Sequence, residues 1–136
     1  MKPVTVYQAL AQALQARENC QRSGNDEWFA RHTETIEMIA REYLPGGSGI
    51  DSGTRVDVDR STPDRIRLEL GYHHMNDGGM YDGWTEHTIT IRPSLAFGFT
   101  LQISGKDRNG IKEYLSDTYH YAIGQVIRET RSEVPA

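Results

Sequence analysis

The chain of 136 residues has one cysteine, Cys20, and only three phenylalanines and two tryptophans. A single cysteine closes no disulfide within the chain and builds no cysteine-based zinc cage, a usage that fits a reducing compartment. Positive charge is not in excess either. Fifteen Lys+Arg stand against 19 Asp+Glu, a formal net charge of −4, which argues against a coat for extended nucleic acid while leaving room for a local basic cleft. There is no apolar run of the roughly 18 residues needed to span a bilayer, and MKPVTVYQALAQAL at the start lacks the apolar centre of a signal peptide. The expectation is a cytoplasmic protein with no membrane partner. Repeats and low-complexity tracts are absent, and the length suits one domain.

What is present organises as helices, then strands, then a helix. Thr5 followed by Gln8 is a capping-box pattern, with Tyr7, Leu10, Ala11 and Leu14 at helical spacing behind it, so a first helix should run to about residue 21. Gly24 offers a left-handed stop, and Trp28, Phe29, His32, Ile36, Ile39, Ala40 and Tyr43 then mark one face of a second helix, completing an αα-hairpin over residues 1–44. The glycine-rich segment after Pro45 lacks the lysine of a phosphate-binding loop and leads to a strand, so it reads as a connection.

Residues 54–104 alternate as strands do. Thr54 to Arg60 is polar enough for a sheet edge, and Arg65 to His74 puts Ile66, Leu68, Leu70 and Tyr72 on one face. Trp84 to Arg92 sets His87, Ile89 and Ile91 against Glu86, Thr88, Thr90 and Arg92, and Leu95 to Ser104 gathers Leu95, Phe97, Phe99, Leu101 and Ile103 on one side. A last helix over 107–129, capped by Asp107, carries an apolar stripe that reaches Ile127, long enough to meet another subunit. The expected fold is α+β: an antiparallel sheet of four or slightly more strands with two N-terminal helices and one long C-terminal helix.

Candidate chemistry concentrates in YHHMNDGGMYDGWTEHT, residues 72–88, where large aromatics stand beside turn glycines as in a recognition loop. His73, His74 and His87 with Asp77 and Asp82 contain enough ligands for a metal. However, neighbours His73 and His74 point to opposite sheet faces, and histidines serving turns and hydrogen bonds are the commoner case. No nucleophile elbow accompanies Ser94 or Ser104, and no activating motif surrounds Cys20, so no enzyme signature is found. Asp82 and Glu86 as an acid-base pair compete with the simpler role of solvated surface charges.

The basic set is more suggestive. Arg108 and Lys112 lie four apart at the start of the last helix, where the dipole favours anions, and Lys106, Arg92, Arg65 and Arg67 are further cations. With Tyr81 or Trp84 stacking on a base, they describe a nucleotide pocket in an acidic protein. The plainer alternative pairs Arg108 and Lys112 with Glu113 or Asp117 on an exposed helix and uses Trp84 to plug the end of the core.

HHMNDGGMYDGWTEH, RPSLAFGFTLQISGKDRNGIKEYL and the two N-terminal helices resemble a family of small phage and mobile-element proteins, the anti-defence sponges that sequester the cyclic ADP-ribose signal of Thoeris immunity. The resemblance covers the chain from the first helix to about Tyr121. It implies a β core decorated by N- and C-terminal helices, a homodimer or higher homo-oligomer whose helices help form the interface, with ligand sites near that interface, and binding without turnover. It also implies a second ligand class, small cyclic oligonucleotides such as those of CBASS immunity. It places an aromatic wall at Tyr81 and a cationic pair at Arg108 and Lys112. Lys112 departs from the expected arginine, keeping the charge but losing the fork. Trp84, Arg92 and Lys106 join the ligand-binding set on the physical argument alone. No cofactor is implied. Two rival functions stand beside this one: an anti-CRISPR-like blocker of a host complex, and a metal-dependent nucleotide-processing enzyme using His73 or His87.

Overall fold

A computed structural model describes residues 3–47, 49–95 and 98–127. Strand β1 (Val4–Thr5) runs straight into helix α1 (Val6–Ser23) through the expected capping box. The Thr5 hydroxyl accepts from the Gln8 N–H at 3.1 Å, and the Gln8 side-chain oxygen accepts from the Thr5 N–H at 2.9 Å. Gly24, at φ 74°, ends α1 in the left-handed conformation, and Asn25 caps α2 (Asp26–Tyr43) by accepting from the Trp28 N–H. Ile36 and Ala40 of α2 are buried as expected. Trp28 is not: it lies 46 % exposed beneath the Arg31 guanidinium, 4.9 Å from the ring centre.

The main sheet has the order β2-β3-β4-β5, all antiparallel, from β2 (Ile50–Val56), β3 (Ile66–Met75), β4 (Tyr81–Ser94) and β5 (Gly98–Ser104). Ile66 stands opposite Ile91, Leu68 opposite Ile89, Leu70 opposite His87, and Tyr72 opposite Thr85. Because side chains alternate, this register gathers one face into the core, where Leu10, Leu14, Ile36, Leu115 and Ile123 close over it from the helices. The reverse face, with Arg67, Glu69, Trp84, Glu86 and Thr90, is half-buried to exposed. The polar first strand is an edge, as expected. It spans Ile50–Val56 rather than Thr54 to Arg60, because Val58–Arg60 turn into a short 3-10 helix, and it carries a bulge where Ser52 and Gly53 take φ of 56° and 79°.

Two further expected boundaries are corrected. The fourth strand starts at Gly98, not Leu95; Leu95 sits fully exposed in a turn, and residues 96–97 lie outside the described residues. The last helix, α3, spans Ile111–Gly124 rather than 107–129. Asp107 does support its start, accepting from the Lys112 N–H at 3.0 Å, but the cap position is Gly110. Beyond Gly124 the chain extends. Val126 and Ile127 form β6 and pair with Thr5 and Val4, while Gln125 accepts from the Val6 N–H at 2.9 Å. Glycine is a poor helix former and a β-branched pair prefers a strand, so the tail of the apolar stripe closes the fold on itself. Residues 128–129 lie outside the described residues.

Candidate functional site

The β3–β4 connection is held by one side chain. Asn76 Oδ1 accepts from the N–H groups of Gly78 (2.9 Å) and Met80 (3.0 Å), and the Asn76 N–H donates to the Met80 carbonyl at 2.8 Å. This fixes where β4 begins and so where its aromatics point. Tyr81 is exposed with its ring 5.6 Å from that of His73. Trp84 does not plug the core. It lies on the reverse face, 44 % exposed, with its indole across Gly71, where a Cβ would stand 2.5 Å from the ring. A side chain at position 71 would evict it.

A cleft of about 400 Å³ opens between the end of β3, Gly49 and the start of α3, lined by Tyr72, His73, His74, Met75, Arg108 and Tyr114. The rings of Tyr72 and Tyr114 meet edge to face at 6.0 Å, and Tyr72 packs edge-on to His74 at 5.0 Å. Arg108 lies in the loop before α3, three residues ahead of Ile111, so it and Lys112 do not share a helix face as their spacing implied. Its partner is neither Glu113 nor Asp117. Arg108 Nη2 binds Asp82 Oδ2 at 2.8 Å, and the guanidinium fills the space that a Cβ on Gly83, at φ 116°, would occupy.

The other candidates divide. Lys112 is half-buried in the first turn of α3, and Lys106 is exposed in the loop before it. Arg92 stands eight residues beyond Trp84 on the same strand, roughly 27 Å away at about 3.4 Å per residue, where it donates to Gln102 Oε1. Arg92 therefore does not join the cleft, and Trp84 does not line it. Arg65 and Arg67 also lie toward the far end of β3 from the cleft-lining residues.

Behind the cleft runs a buried polar chain. His74 Nε2 and His87 Nε2 both contact Thr85 Oγ1 at 2.9 Å, and His87 Nδ1 contacts the Ser104 carbonyl at 3.2 Å. A carbonyl only accepts, so His87 Nδ1 must carry the hydrogen. In neutral His87, Nε2 is then the acceptor, the Thr85 hydroxyl donates to it, and His74 Nε2–H donates to Thr85. Burial pushes the pKa of His74 down, with the Arg108 charge adding to the effect. Burial also lowers His87, against the Ser104 hydrogen bond, which raises it, with His74 and Lys112 contributing in the lowering direction. The relay is satisfied with both rings neutral.

No family model, curated protein or solved structure matches this chain. Local geometry carries the functional argument. His73, paired with Asp51 at 3.3 Å, and His74 do point to opposite faces. Among the described residues no group of three or more His, Cys, Asp or Glu side chains is placed to hold a metal ion, and no helix is long and apolar enough to cross a membrane. Sequence reasoning did not single out Tyr72, His74 or Tyr114 as cleft residues. For Tyr72 and His74 the signal was available, since both continue the core-face parity of Ile66, Leu68 and Leu70.

Proposed function

We propose that this protein binds a small phosphate-bearing nucleotide, a cyclic signal of the cyclic ADP-ribose class or a cyclic oligonucleotide, and holds it without turnover as a phage-encoded sponge in the host cytoplasm. The observation that carries this reading is the half-buried Arg108 on the wall of a cleft whose other walls are Tyr72 and Tyr114. A guanidinium has five donors, and one ion pair with Asp82 leaves others for a phosphate, while tyrosine rings provide faces for a base. The start of α3, whose Gly110 and Ile111 line the cleft, adds positive potential there, while Lys112 is not among the lining residues. Tyr81 does not line the cleft, but its ring stands 5.6 Å from that of His73, which does. Sequestration then works by mass action: a Kd near the nanomolar range, on the order of −12 kcal/mol, keeps free signal below the level that activates its effector.

The test is isothermal titration calorimetry against cyclic ADP-ribose isomers and cyclic di- and trinucleotides, followed by heat release and analysis of the ligand. Tight binding with intact ligand, abolished by Arg108→Glu, is the expected result. No heat with any of them overturns the reading. One feature favours a blocker of a host protein complex instead: Met80, Tyr81 and Trp84 are 68 %, 60 % and 44 % exposed around one hairpin end, the composition of an interface centre.

A further inference from the structure

The buried relay ends on an atom at the cleft wall. His74 is only 4 % exposed, and its Nε2 is committed to Thr85 Oγ1, while its Nδ1 has no hydrogen-bond partner among the described residues. That nitrogen is not sealed in the core, as the fully enclosed Nδ1 of His73 is. The open space that His74 borders is the cleft between β3 and the start of α3, so Nδ1 looks into it. Tyr72, edge-on to the His74 ring at 5.0 Å, holds the ring in that attitude.

What Nδ1 offers is decided at the far end of the relay. The Ser104 carbonyl puts the hydrogen of His87 on Nδ1, His87 Nε2 then accepts from the Thr85 hydroxyl, and the Thr85 oxygen accepts from His74 Nε2–H. A neutral imidazole carries one ring hydrogen, so His74 Nδ1 is left with a bare lone pair. Burial disfavours the charged ring, and the Arg108 charge disfavours it further, against an opposing pull from Asp82. Of the other polar side chains around the cleft only Arg108 has a fixed hydrogen-bond sense, and it donates. The hydroxyls of Tyr72 and Tyr114 and the Asn109 amide serve either way, and His73 commits Nε2 to Asp51.

We propose that His74 Nδ1 is the specificity-determining acceptor of this cleft, taking an O–H or N–H donor, from a sugar hydroxyl or a base amino group, of a ligand whose phosphate lies at Arg108. The inference rests on the nucleotide reading and adds the orientation of the ligand. A phosphate oxygen against Nδ1 would set acceptor against acceptor, so the phosphate goes toward α3 and the donor edge toward β3. Thr85, His87 and the Ser104 carbonyl are positioning groups that hold the tautomer without touching the ligand. Solvent reaches Nδ1 in the open cleft, but a ligand that covers it without a donor leaves a buried lone pair unpaired, which makes binding roughly 10- to 100-fold weaker.

Long-range proton–nitrogen correlation spectra of the nitrogen-15-labelled full chain, at about pH 7.5, read the tautomer directly. Free protein should show His74 with its hydrogen on Nε2 and a bare Nδ1; a hydrogen on Nδ1 overturns the proposal. Ribose 5-phosphate or adenosine 5′-phosphate should then move the Nδ1 resonance upfield, whereas sulfate, which has no donor, should leave it in place. Loss of the shift with 2′,3′-dideoxyadenosine 5′-phosphate assigns the donor to a sugar hydroxyl, and loss with purine riboside 5′-phosphate assigns it to the base amino group. His74→Gln keeps a nitrogen near the Nε2 position for Thr85 but has no acceptor at Nδ1. It should weaken adenosine 5′-phosphate roughly 10-fold or more and leave sulfate unchanged; equal losses for both overturn the proposal. Nucleotide binding by calorimetry with Nδ1 unmoved sinks this inference alone, whereas Nδ1 moved by ribose 5-phosphate in a protein that binds no cyclic nucleotide sinks the cyclic-nucleotide reading instead.

Discussion

Arg108 and Asp82 meet at 2.8 Å across the gap between the loop that precedes α3 and the first turn of the β4 ladder. The contact ties the cation of the cleft to the aromatic hairpin, and it requires Gly83, because the guanidinium occupies the position of a Cβ there. With side-chain exposures of 29 % and 45 % the pair is partly screened, and its direct worth to stability is about 1 kcal/mol or less.

Asp82 therefore competes with any anion for Arg108. We predict that Asp82→Asn lowers the Kd for a nucleotide ligand several-fold and shifts stability by no more than about 1 kcal/mol. Calorimetry and urea unfolding check this, and weaker ligand binding by the variant would contradict the competition.

The aromatics separate by position. Tyr114→Ala should weaken ligand binding by about 1–3 kcal/mol if a base stacks in the cleft, whereas Trp84→Ala and Arg92→Ala should leave it unchanged. A loss with Trp84→Ala and none with Tyr114→Ala would mean that the ligand lies on the reverse face of the sheet instead.

Neutral His74 and His87 make stability depend on pH. Both have folded-state pKa values below the ordinary 6.5, chiefly through burial, so below about pH 6.5 the unfolded chain binds more protons than the folded one. Stability should be flat above about pH 7 and fall as pH drops through the unfolded value toward the folded ones. Thr85→Val removes the shared hydroxyl and should cost about 1–3 kcal/mol at pH 7.5. Urea titrations across pH 5–8 read out both effects, and a parent protein stabilised on acidification would refute the neutral relay.

Tyr119 is wholly buried with its hydroxyl 2.6 Å from Thr54 Oγ1, which also reaches the Pro45 carbonyl at 2.7 Å. Burial pushes its pKa up to about 12 against that hydrogen bond, so the phenol stays protonated through the neutral range. Tyr119→Phe should cost about 1 kcal/mol, since Thr54 keeps a partner. A spectrophotometric titration should show one tyrosine ionising only as the fold is lost.

Local pattern was sufficient wherever neighbours in the chain decide the structure. The Thr5–Gln8 box, the left-handed stop at Gly24 and the faces of Ile66–Tyr72 and His87–Ile91 were all legible, because caps, turns and alternation act over a few residues. The end of α3 was not, because helical and extended readings of Val126–Ile127 differ only by what is available to pair, and that partner is Val4–Thr5 at the opposite end of the chain. The same holds for the site. The sequence alone named Arg108, Lys112 and the aromatic hairpin as the chemistry-bearing segments. Only the tertiary structure gave Arg108 to Asp82, turned Trp84 onto Gly71, sent Arg92 down the strand and opened the cleft at Tyr72 and Tyr114. Side-chain partners across a sheet are set by register and by contacts between distant segments, which no local periodicity encodes.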